Sequence, residues 1–171
     1  MSSTTHAISS TSLLSHFYVL SLQVHDEAYA DHIMQLATNL AQRIYADSPS
    51  DGGFNRVIRR ERAPQMRLQK RLEDLGFDAP HEGQVLFDDG SGRPRYDLYV
   101  DGHVVIELKW VNKLTSVHRN QMYTYMQGLQ CKYGVLINFP NCWRSTVEAE
   151  KSKYENMEAH PGRWDMAPHI I

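Results

Sequence analysis

The sequence predicts a single domain of α/β (α+β) class with a mixed central β-sheet flanked by helices, and three observations carry that prediction. The spacing of apolar residues is helical up to Gly76 and strand-like after it. The dipeptide Asp101-Gly102 joins two apolar runs, which is a strong hairpin signal. After a helical stretch comes Tyr133-Gly-Val-Leu-Ile-Asn-Phe139, a continuous apolar run of the kind found in strands buried on both faces. At 171 residues the chain matches about one domain, long enough to bury a core.

Composition narrows the function classes. Apolar residues make up 42% and charged residues 22%, the balance of an ordinary soluble globular protein. No apolar run approaches the roughly 18 residues that suggest a membrane span, so no membrane partner is expected. The net charge of -2 gives no global basic signature, so any grip on nucleic acid must come from a local patch. Two cysteines, Cys131 and Cys142, fit no zinc spacing and read as reduced thiols of an intracellular protein.

In chain order, residues 1–11 are rich in Ser and Thr without Lys or Arg, and read as a disordered lead-in rather than a targeting signal. From Ser12 to Ala46 the apolar residues Leu13, Phe17, Leu20, Val24, Ala28, Ile33, Leu36, Leu40 and Ile44 keep helical spacing with drift. This is one long helix, or two broken near His25 and Asp26. The turn-rich Asp47-Ser-Pro-Ser-Asp-Gly-Gly53 closes a helical N-terminal extension over residues 12–50.

A basic helix follows between Phe54 and Leu75, carrying Arg56, Arg59, Arg60, Arg62, Arg67, Lys70 and Arg71. Pro64 restarts it in a first turn, Leu68, Leu72 and Leu75 mark its buried face, and Gly76 stops it. Gln84 to Phe87 is strand-like, Asp88 to Pro94 a turn, and Tyr96–Val100 and His103–Trp110 form the hairpin. Val117 to Leu129 reads as helix. Past Pro140 the pattern weakens; Ser145 to Met157 reads as a polar helix. The expected organisation is a core over 51–142 and a C-terminal helix or tail over 143–171.

The hairpin carries the chemistry. Glu107 and Lys109 are two residues apart on one strand, so they share a face, and Asp97 sits on the other strand. The run Val104-Val-Ile106 marks the strand as largely buried. A carboxylate and an ammonium are costly there without partners. A divalent metal held by Asp97 and Glu107 is one such partner. Mg²⁺ or Mn²⁺ suits two hard oxygen ligands, and the Leu108 carbonyl is a further one. Lys109 is placed to orient water or stabilise phosphoryl charge. The plainer alternative is ordinary hairpin polarity at Asp97 and an exposed ion pair between Glu107 and Lys109.

Three blocks extend this triplet: Tyr96-Asp-Leu-Tyr-Val-Asp-Gly-His-Val-Val-Ile-Glu-Leu-Lys-Trp110, Val117-His-Arg-Asn-Gln-Met-Tyr-Thr-Tyr-Met126, and Tyr133-Gly-Val-Leu-Ile-Asn-Phe139. In order and spacing they resemble the GxxExxY family of the PD-(D/E)XK nuclease superfamily, over about Arg60 to Phe139. The resemblance implies a restriction-endonuclease-like core and a metal-dependent nuclease acting on nucleic acid, DNA ahead of RNA. It matches Asp97, Glu107 and Lys109 to the catalytic triplet. It also matches Gln121 and Tyr125 to the Q-x-x-x-Y signature of the RecB-like branch; at i and i+4 they share a helix face. The other reading makes Gln121 solvated and Tyr125 core. His118 reads as a surface or capping residue.

The motif that names the family is altered. Glu61 stands at its glutamate, but Ile58 and Pro64 replace the Gly and Tyr around it. Glu61 is therefore either a further metal ligand or one more solvated charge. Arg56, Arg59, Arg60, Arg67 and Lys70 are candidates for phosphate contact, against a solvated helix face. Trp110, Tyr123 and Tyr125 are candidates for base stacking, against plain packing. Two further readings stay open: a nuclease-like fold that binds nucleic acid or assembles with protein without cutting, and a homodimer or partner contact through Ser12 to Ala46.

Overall fold

Asp101 and Gly102 both take positive φ, 50° and 65°, and the His103 N–H donates to the Val100 carbonyl at 2.9 Å. This is a tight turn with Asp101 and Gly102 at its centre, as expected of Asp-Gly, and Asp101 to His103 connect the paired Val100 and Val104. It joins β1 (Leu98–Val100) to β2 (Val104–Lys109). The computed structural model describes residues 10–47, 62–85, 95–140, 146–153 and 169–170, with side chains between residues 25 and 153 of those ranges. Around the hairpin lie α1 (Ser10–Ala46), α2 (Arg62–Asp74), α3 (Ser116–Gly128), β3 (Tyr133–Asn138), β4 (Glu148–Lys153) and β5 (His169–Ile170).

The sheet runs β1-β2-β3-β4-β5, with β2 and β3 parallel and the other neighbours antiparallel. The parallel pair needs a crossover, and α3 supplies it. The architecture is thus the mixed sheet flanked by helices that the sequence predicts. The helices cover opposite faces. Val104, Ile106, Leu108, Val135 and Ile137 pack with α1 and α2, whereas Val105 and Leu136 pack with Met122, Tyr125 and Met126 of α3. Both faces of β2 and β3 are buried, which is why these strands read as unbroken apolar runs.

α1 is one uninterrupted helix through His25 and Asp26. It is built into the core rather than extending from it. Ala30, Ile33, Met34, Ala37, Leu40, Ala41 and Ile44 are buried, and α1 contacts α2, β2 and β3. The expected face is shifted at Ala28, which is exposed, and at Leu36, which is half-buried. Small alanines let the helix approach the sheet closely. Along its flank, Lys153 donates to Glu27 Oε2 at 2.7 Å, Lys151 pairs with Asp31, and His103 Nε2 lies 2.5 Å from Asp26 Oδ1. The face from Ala30 to Ile44 is occupied by the chain's own sheet, so it is not free for a partner. No described helix is long and apolar enough to cross a membrane.

Several local expectations are corrected. The segment 148–153 is strand β4, not part of a polar helix, and the core runs past residue 142. Its alternation with period 2, Lys151 and Lys153 toward α1 and Ser152 on the opposite face, is what a helical reading misses. Leu75 is exposed, because α2 ends at Asp74 and Gly76 turns the chain at φ 94°. Gln84 forms only an isolated bridge to Arg95; residues 86–94, with the expected turn, lie outside the described residues, as do residues 1–9 and Cys142.

Candidate active site

Asp97 lies one residue before β1 rather than within it. The register still sets its position. Leu98 pairs with Ile106, so Asp97 falls opposite Glu107 on the next rung. Leu98 and Ile106 belong to the α1–α2 side, and alternation places Asp97 and Glu107 on the α3 side. The Leu108 N–H donates to Asp97 Oδ2 at 2.7 Å, a side chain taking the place of the ladder bond that β1 no longer offers. Lys109 Nζ donates to Glu107 Oε1 at 2.5 Å, with side-chain exposures of 11% and 2%. The three predicted residues of the triplet therefore meet at the open end of the hairpin. The reading of Glu107 and Lys109 as an exposed ion pair is excluded.

Gln121 and Tyr125 come to the same place. Gln121 Nε2 donates to Tyr125 Oη at 2.6 Å, across one turn of α3. Burial pushes the Tyr125 phenol above its ordinary value; the bond from Gln121 opposes this, the charges of Glu107 and Asp97 add to it and that of Lys109 subtracts. All three members of the triplet are thus within electrostatic reach of one buried hydroxyl. α3 is seated by Gly134 of β3, where a Cβ would stand 2.7 Å from Met126 Sδ. His118 caps α3, its Nδ1 accepting the Thr115 N–H at 3.1 Å.

Other predicted residues are placed apart. Glu61, Arg56, Arg59 and Arg60 lie outside the described residues. Arg67 is exposed on α2. Lys70 Nζ reaches Asp74 at 2.9 and 3.1 Å, and Arg71 reaches Asp47 at 3.1 Å, so this part of the basic run is charge-balanced at the surface. The aromatics are packed. Trp110 stacks on Phe139 at 5.8 Å, Tyr123 packs against the α3 core, and Tyr125 is 3% exposed. Tyr125 therefore offers no face for base stacking, whereas Trp110 and Tyr123 are half-buried. Cys131 is a buried thiol whose S–H faces the His103 and Tyr133 carbonyls, and burial raises its pKa to about 11. That removes it as a nucleophile.

Two residues at the site escaped sequence reasoning. Gln65 of α2 is buried, and its Nε2 donates to the Asp97 carbonyl at 3.0 Å. Asn138 of β3, opposite Lys109 in register, is fully buried. Its Oδ1 accepts the Val111 N–H and its Nδ2 donates to the Val111 carbonyl, both at 3.0 Å, which fixes the loop between Lys109 and α3. A signal existed for each. Gln65 falls at i−3 and i−7 from Leu68 and Leu72, a polar residue on an apolar helix face, and Asn138 interrupts an otherwise apolar strand.

The Asp97 and Glu107 carboxylates are hard oxygen donors of the kind that suit a divalent cation, and the Lys109 ammonium lies beside Glu107. Among the described residues no cluster of three or more His, Cys, Asp or Glu side chains could hold a metal. A cation held here would have at most Asp97 and Glu107 as carboxylate ligands and would draw the rest from backbone, water or substrate oxygens, as Mg²⁺ sites commonly do. The sequence model of the PD-(D/E)XK nuclease superfamily matches residues 60–151, a span that takes in α2, the hairpin, α3, β3 and most of β4. The chain belongs to the PD-(D/E)XK nuclease superfamily. Members of this superfamily generally use divalent metals, and a nuclease of this superfamily acts on nucleic acid. No curated protein and no solved structure matches the chain.

Proposed function

We propose that this PD-(D/E)XK chain is a Mg²⁺- or Mn²⁺-dependent nuclease that hydrolyses phosphodiester bonds of DNA in preference to RNA, and that it acts inside the cell. The observation that carries the reading is the bond from the Leu108 N–H to the Asp97 carboxylate, which holds Asp97 to the strand between Glu107 and Lys109, with Lys109 donating to Glu107. The preference for DNA and the placement in the GxxExxY family, RecB-like branch, rest on the three sequence blocks and not on the geometry.

Asp97, Glu107 and the Leu108 carbonyl would hold the cation, and Glu61 is a further candidate from the helical side. A bound Mg²⁺ or Mn²⁺ supplies Lewis-acid polarisation of the phosphate and lowers the pKa of the attacking water. Lys109 keeps its ammonium beside Glu107, where it orients that water or stabilises charge on the phosphoryl oxygens. Gln121 holds the Tyr125 hydroxyl in the site. Arg67 and Lys70, with Arg56, Arg59 and Arg60 before them, offer donors to the phosphate backbone. Such contacts position nucleic acid without reading its sequence. The pairing of Lys70 with Asp74 is exposed to water and gives way to a phosphate at little cost.

The test is cleavage of labelled single- and double-stranded DNA and RNA with Mg²⁺, Mn²⁺ or EDTA, for wild type and Glu107→Ala. The expected result is cleavage that needs metal and disappears in the variant, strongest on DNA. Equal cleavage by Glu107→Ala removes the proposed site. No cleavage, with binding that falls steeply with salt, makes the chain a nucleic-acid-binding module on a nuclease fold.

A further inference from the structure

Asp97 is held less firmly by secondary structure than its partners. Glu107 and Lys109 lie inside a six-residue strand with ladder bonds to β3. Asp97 lies before a three-residue strand. Its carbonyl takes two bonds, one from the Glu82 N–H at 3.3 Å and a shorter one from Gln65 Nε2 at 3.0 Å. The first comes from a segment that contributes only isolated bridges to the sheet. The second comes from the first turn of α2, on the face where Leu68 and Leu72 are fully buried. Gln65 itself is 5% exposed, so its amide is committed to the interior. A buried amide must find partners, and this one spends a donor on the backbone of the acidic residue.

We propose that Gln65 is a positioning residue that sets the Asp97 carboxylate for metal binding by tying the Asp97 backbone to α2. The proposal rests on the nuclease reading of the Asp97–Glu107 pair. Gln65 touches neither metal nor substrate. It acts by fixing where the Asp97 backbone sits, so that one carboxylate oxygen stays on the Leu108 N–H and the group as a whole faces Glu107. Groups that orient a ligand in this way generally change metal affinity or activity by about 10–100-fold when removed. The bond also links the metal side of the site to α2, the helix that carries Arg67 and Lys70. Contact of nucleic acid with α2 is then transmitted to Asp97 through one amide.

The experiment measures Mn²⁺ affinity by calorimetry, and metal-free melting temperature, on the full chain. It compares wild type with Gln65→Met, which keeps length but has no donor, Gln65→Glu, which is isosteric and loses the amide donor, and Asp97→Ala. Both Gln65 variants are expected to bind Mn²⁺ about tenfold more weakly while melting cooperatively without metal. If Gln65→Met does not fold, Gln65→Glu carries the same comparison. Wild-type Mn²⁺ affinity in a folded Gln65 variant, while Asp97→Ala has lost binding, overturns the positioning role and leaves the nuclease reading intact. Wild-type affinity in Asp97→Ala overturns the nuclease reading of this pair, and the role of Gln65 with it. A lowered melting temperature with unchanged Mn²⁺ affinity shows a packing role only and also overturns the proposal.

Discussion

Four polar or charged residues are buried among the described ones: Gln65, Glu107, Asn138 and Ser152. Three of them hold or form the hairpin end where Asp97 and Lys109 meet. Burying polar groups is costly, so their concentration at one place marks it more sharply than the triplet alone. Lys109 follows from the same argument. It lies against a carboxylate that is almost wholly out of water, so removing its ammonium leaves a buried charge uncompensated. Lys109→Ala is expected to lower metal-free stability by about 3–5 kcal/mol. Saturating Mn²⁺ should recover much of that loss, because a cation again faces Glu107, yet cleavage should stay low. Thermal denaturation with and without Mn²⁺, beside an activity assay, checks both. Recovery of cleavage together with stability identifies Lys109 as structural.

At the scale of elements, the site depends on how closely α3 lies on β3. Gly134 pairs with Val105 in β2 and sits under Met126 and Met122, whose sulfurs would be 2.7 and 3.3 Å from an added Cβ. The apolar run reads as a strand whatever residue stands there, but only glycine admits the helix at this distance. Gly134→Ala pushes on the methionines, which are flexible and yield in part, so the expected loss is about 1–3 kcal/mol. Because Gln121 and Tyr125 ride on the same helix, activity should fall by more than stability alone explains. Chemical denaturation set against kcat/KM separates these effects, and an unchanged kcat/KM in a folded variant refutes the coupling. The tight turn at Asp101-Gly102 was legible from two residues because positive φ at both is a local demand. The ends of β1 were not: β2 runs on to Lys109, and the first residue of β1 is decided by where the incoming chain joins that edge, which is a tertiary matter.

For the whole molecule, α1 and the sheet form one core. Ile33 and Ala37 are fully buried, and α1 lies on both β2 and β3. Ile33→Ala is expected to lower the stability of the entire domain by about 2–5 kcal/mol in one cooperative transition. Measured by circular dichroism, a separate early loss of helical signal before the main transition would instead show α1 to be an appended helix. The charge pattern agrees with a single core, since acidic Glu27 and Asp31 on α1 meet Lys153 and Lys151 on β4.

The sequence by itself determined the class of the fold, the hairpin and its turn, the helix that follows, the buried strand after that helix, and the shared strand face of Glu107 and Lys109. Each of these is written in local chemistry: alternation, an Asp-Gly turn, or residues two apart on one strand. Only the tertiary structure decided that α1 belongs to the core, that 148–153 is a strand, and that Gln65 and Asn138 brace the site. Those outcomes depend on which surfaces meet. A polar strand such as Glu148-Ala-Glu-Lys-Ser-Lys153 is fixed by a neighbouring edge and by charges on a helix more than a hundred residues away, and neither is present in its own sequence.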